Sequence, residues 1–467
     1  MSQTGDVYYF GDSAYLSGSK SIAVMGNSTG FLDATKDQKV SVTPKGTKKS
    51  IDFVPHGEEN KLPLQVIAKV YKNITTASNI DFNTRISIGD GLLVVKKKKV
   101  EGKVEYEEMI ESELPEVFEF LKNNNIERVL QEAASDLVTF YDGYIEIILS
   151  RDEKNPKISM IRYKEATFSR LSVMNEKTAK IEYHGYSAKW GEGSVDDVIA
   201  TPLLDRDVPI YDLKVNLGML PHPKTGKTDK ITKEKRFMMS LALPTPGRFY
   251  YNKPYWWSIF ESGWYDYACA IPEFKKSILE NEMVLKYQIF IHEDFWDKLY
   301  KSENIPNDPV KRKARKLEFL NQMDEFLSGN KNAGKSFVSH YNYDKIKGYE
   351  IHDIKITAIP SLLKEGHYIE DSEEASNLIC YAMGVHPSLQ GASPGKNKNI
   401  NGTEARELFI IKQAMMKPIR QYLLSFLYLI KEINKWDPDI HFVIPNIMLT
   451  TLDKNTGAEK SIGNQPI

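Results

Sequence analysis

An α+β fold is predicted by three features of this 467-residue chain. Strand-like alternation fills the block from Asp142 to about residue 190, and helical periodicity runs through Leu114–Phe140. Between Asp371 and Trp436, a helix, a glycine-rich linker and a proline-interrupted helix follow one another. Hydrophobic residues make up 41% and charged residues 27%, a soluble globular composition in a chain long enough for several domains. Lys plus Arg is 62 against Asp plus Glu 63, whereas a chain that grips nucleic acid along an extended surface is usually clearly basic. Any DNA contact is therefore expected to be weak or confined to a local positive patch.

Taken in order, residues 1–60 are short apolar runs broken by Gly, Ser, Asn and Lys, with Ser41–Lys49 reading as a loop or arm. The start MSQTGDVYYFGDSAYLSG has neither the basic nor the apolar region of a signal peptide, and no window reaches the ~18 apolar residues of a membrane span. A soluble protein is expected. LQVIAKVYKNI reads as a helix or strand, and TRISIGDGLLVVKKKK as two strands around a Gly-Asp-Gly turn. The lysines Lys96–Lys99 precede an acidic stretch, so a solvated hairpin tip is expected in preference to a nucleic-acid patch. After the Leu114–Phe140 periodicity come the strand IEIILS and the alternating runs ISMIRYKEATFSRLSV and AKIEYHGYSAKW. Residues 191–250 read as loop-rich, with a charged excursion before the strand RFMMSLALP. Tyr255–Tyr287 reads as an aromatic helix interrupted at Pro272, which suits the first position of a second, amphipathic helix. A strand YQIFI, a basic helix over Lys311–Leu327, and strands at SFVSHY and IHDIKITAI complete a small α/β unit.

Chemistry-bearing patterns are few. Gly329–Ser336 (GNKNAGKS) matches G-x-x-x-x-G-K-[ST], but a phosphate loop must leave a strand and enter a helix, and here the order is reversed. A helix C-cap and exposed turn is the reading adopted, with a nucleotide-hydrolysing motor as a rival. His292-Glu293 lacks the second histidine of a zinc-protease helix, and His352, His367 and His386 share no ligand spacing. There is no Gly-x-Ser-x-Gly elbow, and Cys269 and Cys380 read as buried small side chains in helices. No catalytic residue, metal site or cofactor is expected.

The 371–436 stretch is the most informative. Asp371 reads as an N-cap with Glu374 as its capping-box acid, Gly384 as the helix stop, and Pro387 as a bar to further helix. His386 is assigned to shaping that turn. The linker from Val385 to Gly402 is rich in Gly, Pro, Lys and Asn, with almost no bulky apolar residue after Leu389, and such a linker is expected not to pack. Thr403 then caps a helix reaching Trp436, with a sharp bend predicted at Pro418.

AMGVHPSLQG followed by GTEARELFIIKQAMMKPIRQYL resembles the C-terminal pattern of the compact tailed-bacteriophage portal proteins: a helix ending in Gly-Val-Pro-Pro, a glycine-rich loop, and a helix with Phe, Gln and a mid-helix Pro. His386 departs from the family's proline. The resemblance covers about residues 255–445, more loosely 115–190, and not the first 110. Residues 1–110 are assigned to an N-terminal arm and the start of the wing, and the resemblance implies a β-rich wing over 111–254. The aromatic helix and first stem helix would occupy 255–287, the clip 288–365 and the second stem helix 371–383. A tunnel loop would follow over 385–402, a kinked wing helix over 403–436, and a C-terminal strand and tail over 437–467. On this resemblance Lys396, Asn397, Lys398 and Asn399 face double-stranded DNA without reading its sequence, while Gly384, His386, Pro387 and Pro418 shape the loop and kink. The implied partners are further copies in a ring, usually of twelve, together with the terminase large subunit, the capsid and head–tail adaptor proteins, and no membrane. The implied location is the portal vertex of a virion, the protein being made in the bacterial cytoplasm. Another virion component, a tail adaptor or baseplate protein, is the remaining alternative.

Overall fold

The computed structural model describes residues 2–4, 7–10, 13–16, 39–45, 50–100, 103–176, 178–192, 197–222, 226–228, 230, 232–247, 249–284, 287–328, 341–344, 349–358, 367–390 and 402–447. In chain order the first elements are β1 (Ser2–Thr4), β2 (Val7–Phe10), β3 (Ser13–Leu16), β4 (Val40–Val42) and β5 (Ile51–Phe53). Helices α1 (Leu62–Lys72) and α2 (Ile74–Ile88) follow, then β6 (Leu93–Val100), β7 (Lys103–Glu108), α3 (Pro115–Asn123) and α4 (Ile126–Phe140). Next are β8 (Asp142–Leu149), β9 (Ile158–Lys164), β10 (Ser169–Leu171), β11 (Tyr183–Tyr186), β12 (Ile199–Pro202), α5 (Pro209–Asn216) and β13 (Arg236–Ala242). The chain continues through α6 (Ser258–Glu261), α7 (Trp264–Val284), β14 (Tyr287–Ile291), α8 (Glu293–Ser302) and α9 (Pro309–Ser328). The last elements are β15 (Tyr341–Asp344), β16 (Tyr349–His352), β17 (Ile354–Ala358), α10 (His367–Ala382), α11 (Gly402–Met415), α12 (Lys417–Asn434) and β18 (Ile440–Val443). The fold is mixed α and β with small sheets, and the strand ladders among the described residues are antiparallel.

The chain divides into two compact units, residues 1–269 with 369–467, and residues 270–368. In the first, the sheet β13–β8–β9 is covered on both faces along its central strand β8, while Met160 and Arg162 of β9 are exposed. Ile145, Ile147 and Leu149 alternate along β8 and meet Leu130, Ala133 and Leu137 of α4 and Leu423, Phe426, Leu427 and Ile430 of α12. The opposite face offers Tyr144 and Met238 to Phe140, Trp256, Trp257 and Phe260. With both faces buried, β8 is buried along almost its whole length, Asp142 and Glu146 included. The indole N–H groups of Trp256 and Trp257 donate to the carbonyls of Val138 and Thr139 at 3.0 Å each, near the C-terminus of α4 where helical partners run out. The C-terminal strand β18 pairs with β6, Ile440 opposite Lys96, so the end of the chain closes a sheet begun before residue 100.

In the second unit, β14 pairs with β17 and β15 with β16. Helices α8 and α9 meet through Trp296 and Phe319, and Arg315 grips Glu303 with two bonds of 2.8 Å.

Several sequence expectations are corrected. TRISI is the last part of α2, because the Asn73 side chain accepts the Thr76 N–H at 2.9 Å and starts a helix there. Within Ser41–Lys49, β4 reaches Val42 and pairs with β5. The 114–140 periodicity is broken at Asn124–Asn125, where Asn125 takes a φ of +46°. Residues 191–250 hold β12 and α5, and α8 went unread after β14. Pro272 lies inside the 21-residue helix α7 and does not open a new one, the preceding break falling at Gly263 with its φ of +81°. Lys96–Lys99 lie along the β6–β7 hairpin, Lys96 paired with Asp437 at 2.5 Å and Lys98 with Glu107. Gly329–Ser336 lies outside the described residues.

Candidate functional site at the root of the 385–402 segment

Helix α10 begins at His367, so Asp371 stands inside it and is not its cap. Its end is as the sequence indicates: Gly384 has a φ of +62°, its N–H reaches the Tyr381 carbonyl at 3.0 Å and the Val385 N–H the Cys380 carbonyl at 2.9 Å. A methyl group on Gly384 would sit at ordinary contact distance from Met415 and Lys412, so Gly384→Ala carries only the backbone cost. We expect a loss of about 1–2 kcal/mol, read as a lowered unfolding midpoint in urea.

Beyond Gly384 the first residues are packed, contrary to the expectation for the linker. Val385 is buried, and Pro387–Gln390 form a short 3-10 helix. The His386 ring nitrogen Nδ1 accepts the Ser388 N–H at 3.3 Å, and the His386 carbonyl accepts the Leu389 N–H at 2.9 Å. Lys396, Asn397, Lys398 and Asn399 lie outside the described residues.

On the far side, the single bent helix expected over 403–436 is two helices. α11 starts at Gly402, one residue before the expected cap Thr403. The break is at Met416, whose N–H is shared between the Lys412 and Gln413 carbonyls at 3.2 and 3.1 Å. Pro418 sits in the first turn of α12, where its missing N–H costs no helical bond. α12 ends at Asn434, with Lys435 in the left-handed region.

The root of the segment is fastened by a polar clamp, and most of it comes from α2. Asn83 Nδ2 donates to the Met383 carbonyl at 3.1 Å. Asn79 Nδ2 points at Cys380 Sγ at 3.4 Å, and its Oδ1 accepts from the Gln390 amide. From the other flank, Lys412 Nζ donates to the Gly384 carbonyl at 2.8 Å. Gln413 exchanges two bonds with the backbone of Ile447, accepting its N–H at 2.7 Å and donating to its carbonyl at 3.0 Å. Burial pulls the Lys412 pKa down to about 8. Burial also pushes the Cys380 thiol up, opposed by its bond with Asn79.

These groups hydrogen-bond and position backbone, and they contain no nucleophile with a base beside it. Among the described residues no group of His, Cys, Asp and Glu is placed to hold a metal ion, and no helix is long and apolar enough to cross a membrane. Sequence reading missed Asn79, Asn83, Lys412 and Gln413. Their one visible signal is helical spacing of polar residues, Thr76, Asn79, Asn83 and Ser87 recurring every three or four positions along α2.

No family model matches the chain, and no curated protein matches it. Among solved structures it is similar to a chain from the neck of an empty gene transfer agent (GTA) particle computed with C6 symmetry. The TM-score is 0.51 at 12% identity, covering 81% of this chain and 83% of that one. Similar chains occur in the neck of a native GTA particle computed with C12 symmetry (TM-score 0.49, 12% identity) and in the virion of a native GTA particle (TM-score 0.49, 11% identity), each over 81% of this chain and 83% of the other. At such identities the likeness is one of fold, and it rests on the first of the three.

Proposed function

We propose that this chain is the portal subunit of a phage-type virion: a non-catalytic, structural protein whose copies form a ring at one capsid vertex. Double-stranded DNA would enter and leave through the ring, which would dock the terminase motor on one side and head–tail connector proteins on the other. The observation that carries this reading is the clamp. A glycine- and lysine-bearing segment is held rigidly at its root, at Met383, Gly384 and Gln390, by buried amides and one buried ammonium. That construction gives the residues between Gln390 and Gly402 a fixed base. The fold shared with a neck chain of a symmetric particle supports the ring.

The near-neutral net charge of −1 suits a channel that must let duplex slide. Lys396 and Lys398, repeated around a ring, would supply weak, exchangeable contacts carrying no sequence information. Negative-stain imaging of the purified full chain tests the ring, with closed particles and an open axial hole expected. Replacing Lys396 and Lys398 together with Ala is expected to impair DNA packaging while ring assembly persists. Packaging at the wild-type level would refute the DNA-facing assignment.

A further inference from the structure

Helix α11 is built inside out. Its inner face buries Lys412 and Gln413, both committed to backbone groups of other segments. Its outer stripe, at helical spacing, holds Ile410, Ile411, Ala414 and Met415, with Ile410 58%, Ile411 56% and Met415 58% exposed. Single exposed apolar side chains are ordinary, but a stripe of them opposite a polar inner face is not. A surface helix normally turns the other way, its apolar stripe toward the core.

A second apolar knob stands at the elbow between α1 and α2. Tyr71 is 82% and Ile74 86% exposed, on either side of Lys72 and the helix-capping Asn73. The elbow is rigid, because Tyr265 donates to the Lys69 carbonyl at 2.7 Å and the Asn73 side chain caps α2. Stripe and elbow are rooted at opposite ends of α2. The elbow forms its N-terminus, whereas α11 is fastened to Gly384, beside the Met383 carbonyl that Asn83 holds toward the other end. Each apolar patch is bordered by exposed charged side chains, Glu404 and Glu407 continuing the stripe and Lys72 lying within the elbow.

We propose that the α11 stripe seats on the α1–α2 elbow of a neighbouring copy of this chain, head to tail around the ring. A closed cyclic assembly needs two different, mutually complementary patches on each subunit, and these two patches meet that requirement. The inference rests on the ring reading above and gives it an interface.

The test uses the full chain in three forms: wild type, a stripe variant (Ile410→Asp with Ile411→Asp) and an elbow variant (Tyr71→Asp with Ile74→Asp). Native mass spectrometry and negative-stain imaging report assembly, and urea unfolding of the monomers confirms that the exposed changes leave folding intact. Wild type is expected to form rings. Each variant alone is expected to remain monomeric, the concentration needed for assembly rising at least about 30-fold. An equimolar mixture of the two variants retains one intact interface per pair and is expected to give one-to-one heterodimers and nothing larger. Rings from either variant, or a mixture that stays monomeric, would overturn this interface while leaving the ring reading standing. A wild-type chain that never oligomerises would overturn both. Wild-type rings together with a stripe variant whose monomer is strongly destabilised would assign the stripe to an internal contact and also refute the proposal.

Discussion

Replacing Arg420 with methionine is expected to destabilise the first unit by about 3–5 kcal/mol. The guanidinium is buried in the first turn of α12, and its hydrogen bonds go to neutral acceptors. It donates from Nη2 to the Ile86 carbonyl at 2.8 Å, from Nε to the Ser87 carbonyl at 3.2 Å, and from Nη1 to Asn446 Oδ1 at 2.6 Å. Ile86 and Ser87 lie in the last turn of α2, where carbonyls have no helical donor left. A basic residue reaching in from another helix serves as their cap. Burial lowers the Arg420 pKa, which measures the cost of holding the charge there. Removing it relieves that cost but strands the two buried helix carbonyls, each worth about 1–3 kcal/mol, whereas the exposed Asn446 amide can take water instead. The deficit therefore dominates. Lysine should recover less than half of the loss, since one ammonium cannot reproduce the fork. The consequence extends to the loop root: α2 carries Asn79 and Asn83, so amide exchange of residues 383–390 should accelerate in the same variant. Urea unfolding and hydrogen exchange measure both, and a loss below 1 kcal/mol with unchanged exchange would remove Arg420 from this role.

The same residues mark where sequence reading succeeds and where it stops. α4 and β8 were legible because the residues they turn to the main core are apolar and keep periods of 3.6 and 2, as in Leu130, Ala133 and Leu137 or Ile145 and Ile147. Gly384 was legible because a left-handed helix stop all but requires glycine. α2 was not. Its buried stripe is Thr76, Asn79, Asn83 and Ser87 as much as Ile80 and Ile86, so hydrophobic periodicity is lost and TRISI alone looks like a strand. The partners that make burial of those amides tolerable, Cys380 and Met383, are about 300 residues away. Lys412 fails for a similar reason, since nothing local distinguishes a lysine that holds a buried carbonyl from one in solvent. Asp371 misled because an Asp with Glu three positions on is a capping box at a helix start and an ordinary solvent-facing pair within a helix. Pro418 correctly signalled an interruption, but by sitting in the first turn of α12 it turned the expected kink into a boundary.

Asp136→Asn is expected to stabilise the protein at alkaline pH and leave it nearly unchanged near pH 4. The carboxyl projects from α4 under the turn after β9, where Oδ2 accepts the Tyr163 hydroxyl at 2.5 Å and the Ala166 N–H at 2.7 Å. Burial drives its pKa up to about 7 from an ordinary 3.8, outweighing both hydrogen bonds, and the nearby acids Glu165 and Glu132 push the same way. The unfolded chain releases this proton near pH 4, whereas the folded chain keeps it until about 7. Between those values the native state binds more protons than the unfolded state, so this group's contribution to stability falls as pH rises and levels off above 7. A three-unit difference corresponds to about 4 kcal/mol. Because the residue is only half-buried, solvent screening reduces the expected gain to about 2–3 kcal/mol at pH 8. Asparagine suits the test because both donors converge on one oxygen, which its amide carbonyl can replace, while no charge needs burying. Urea unfolding of wild type and variant at pH 4.5, 6 and 8 should show the difference opening with pH. A constant difference across that range would mean that the folded chain does not protonate Asp136, and that the two hydrogen bonds already hold its carboxylate as comfortably as water does.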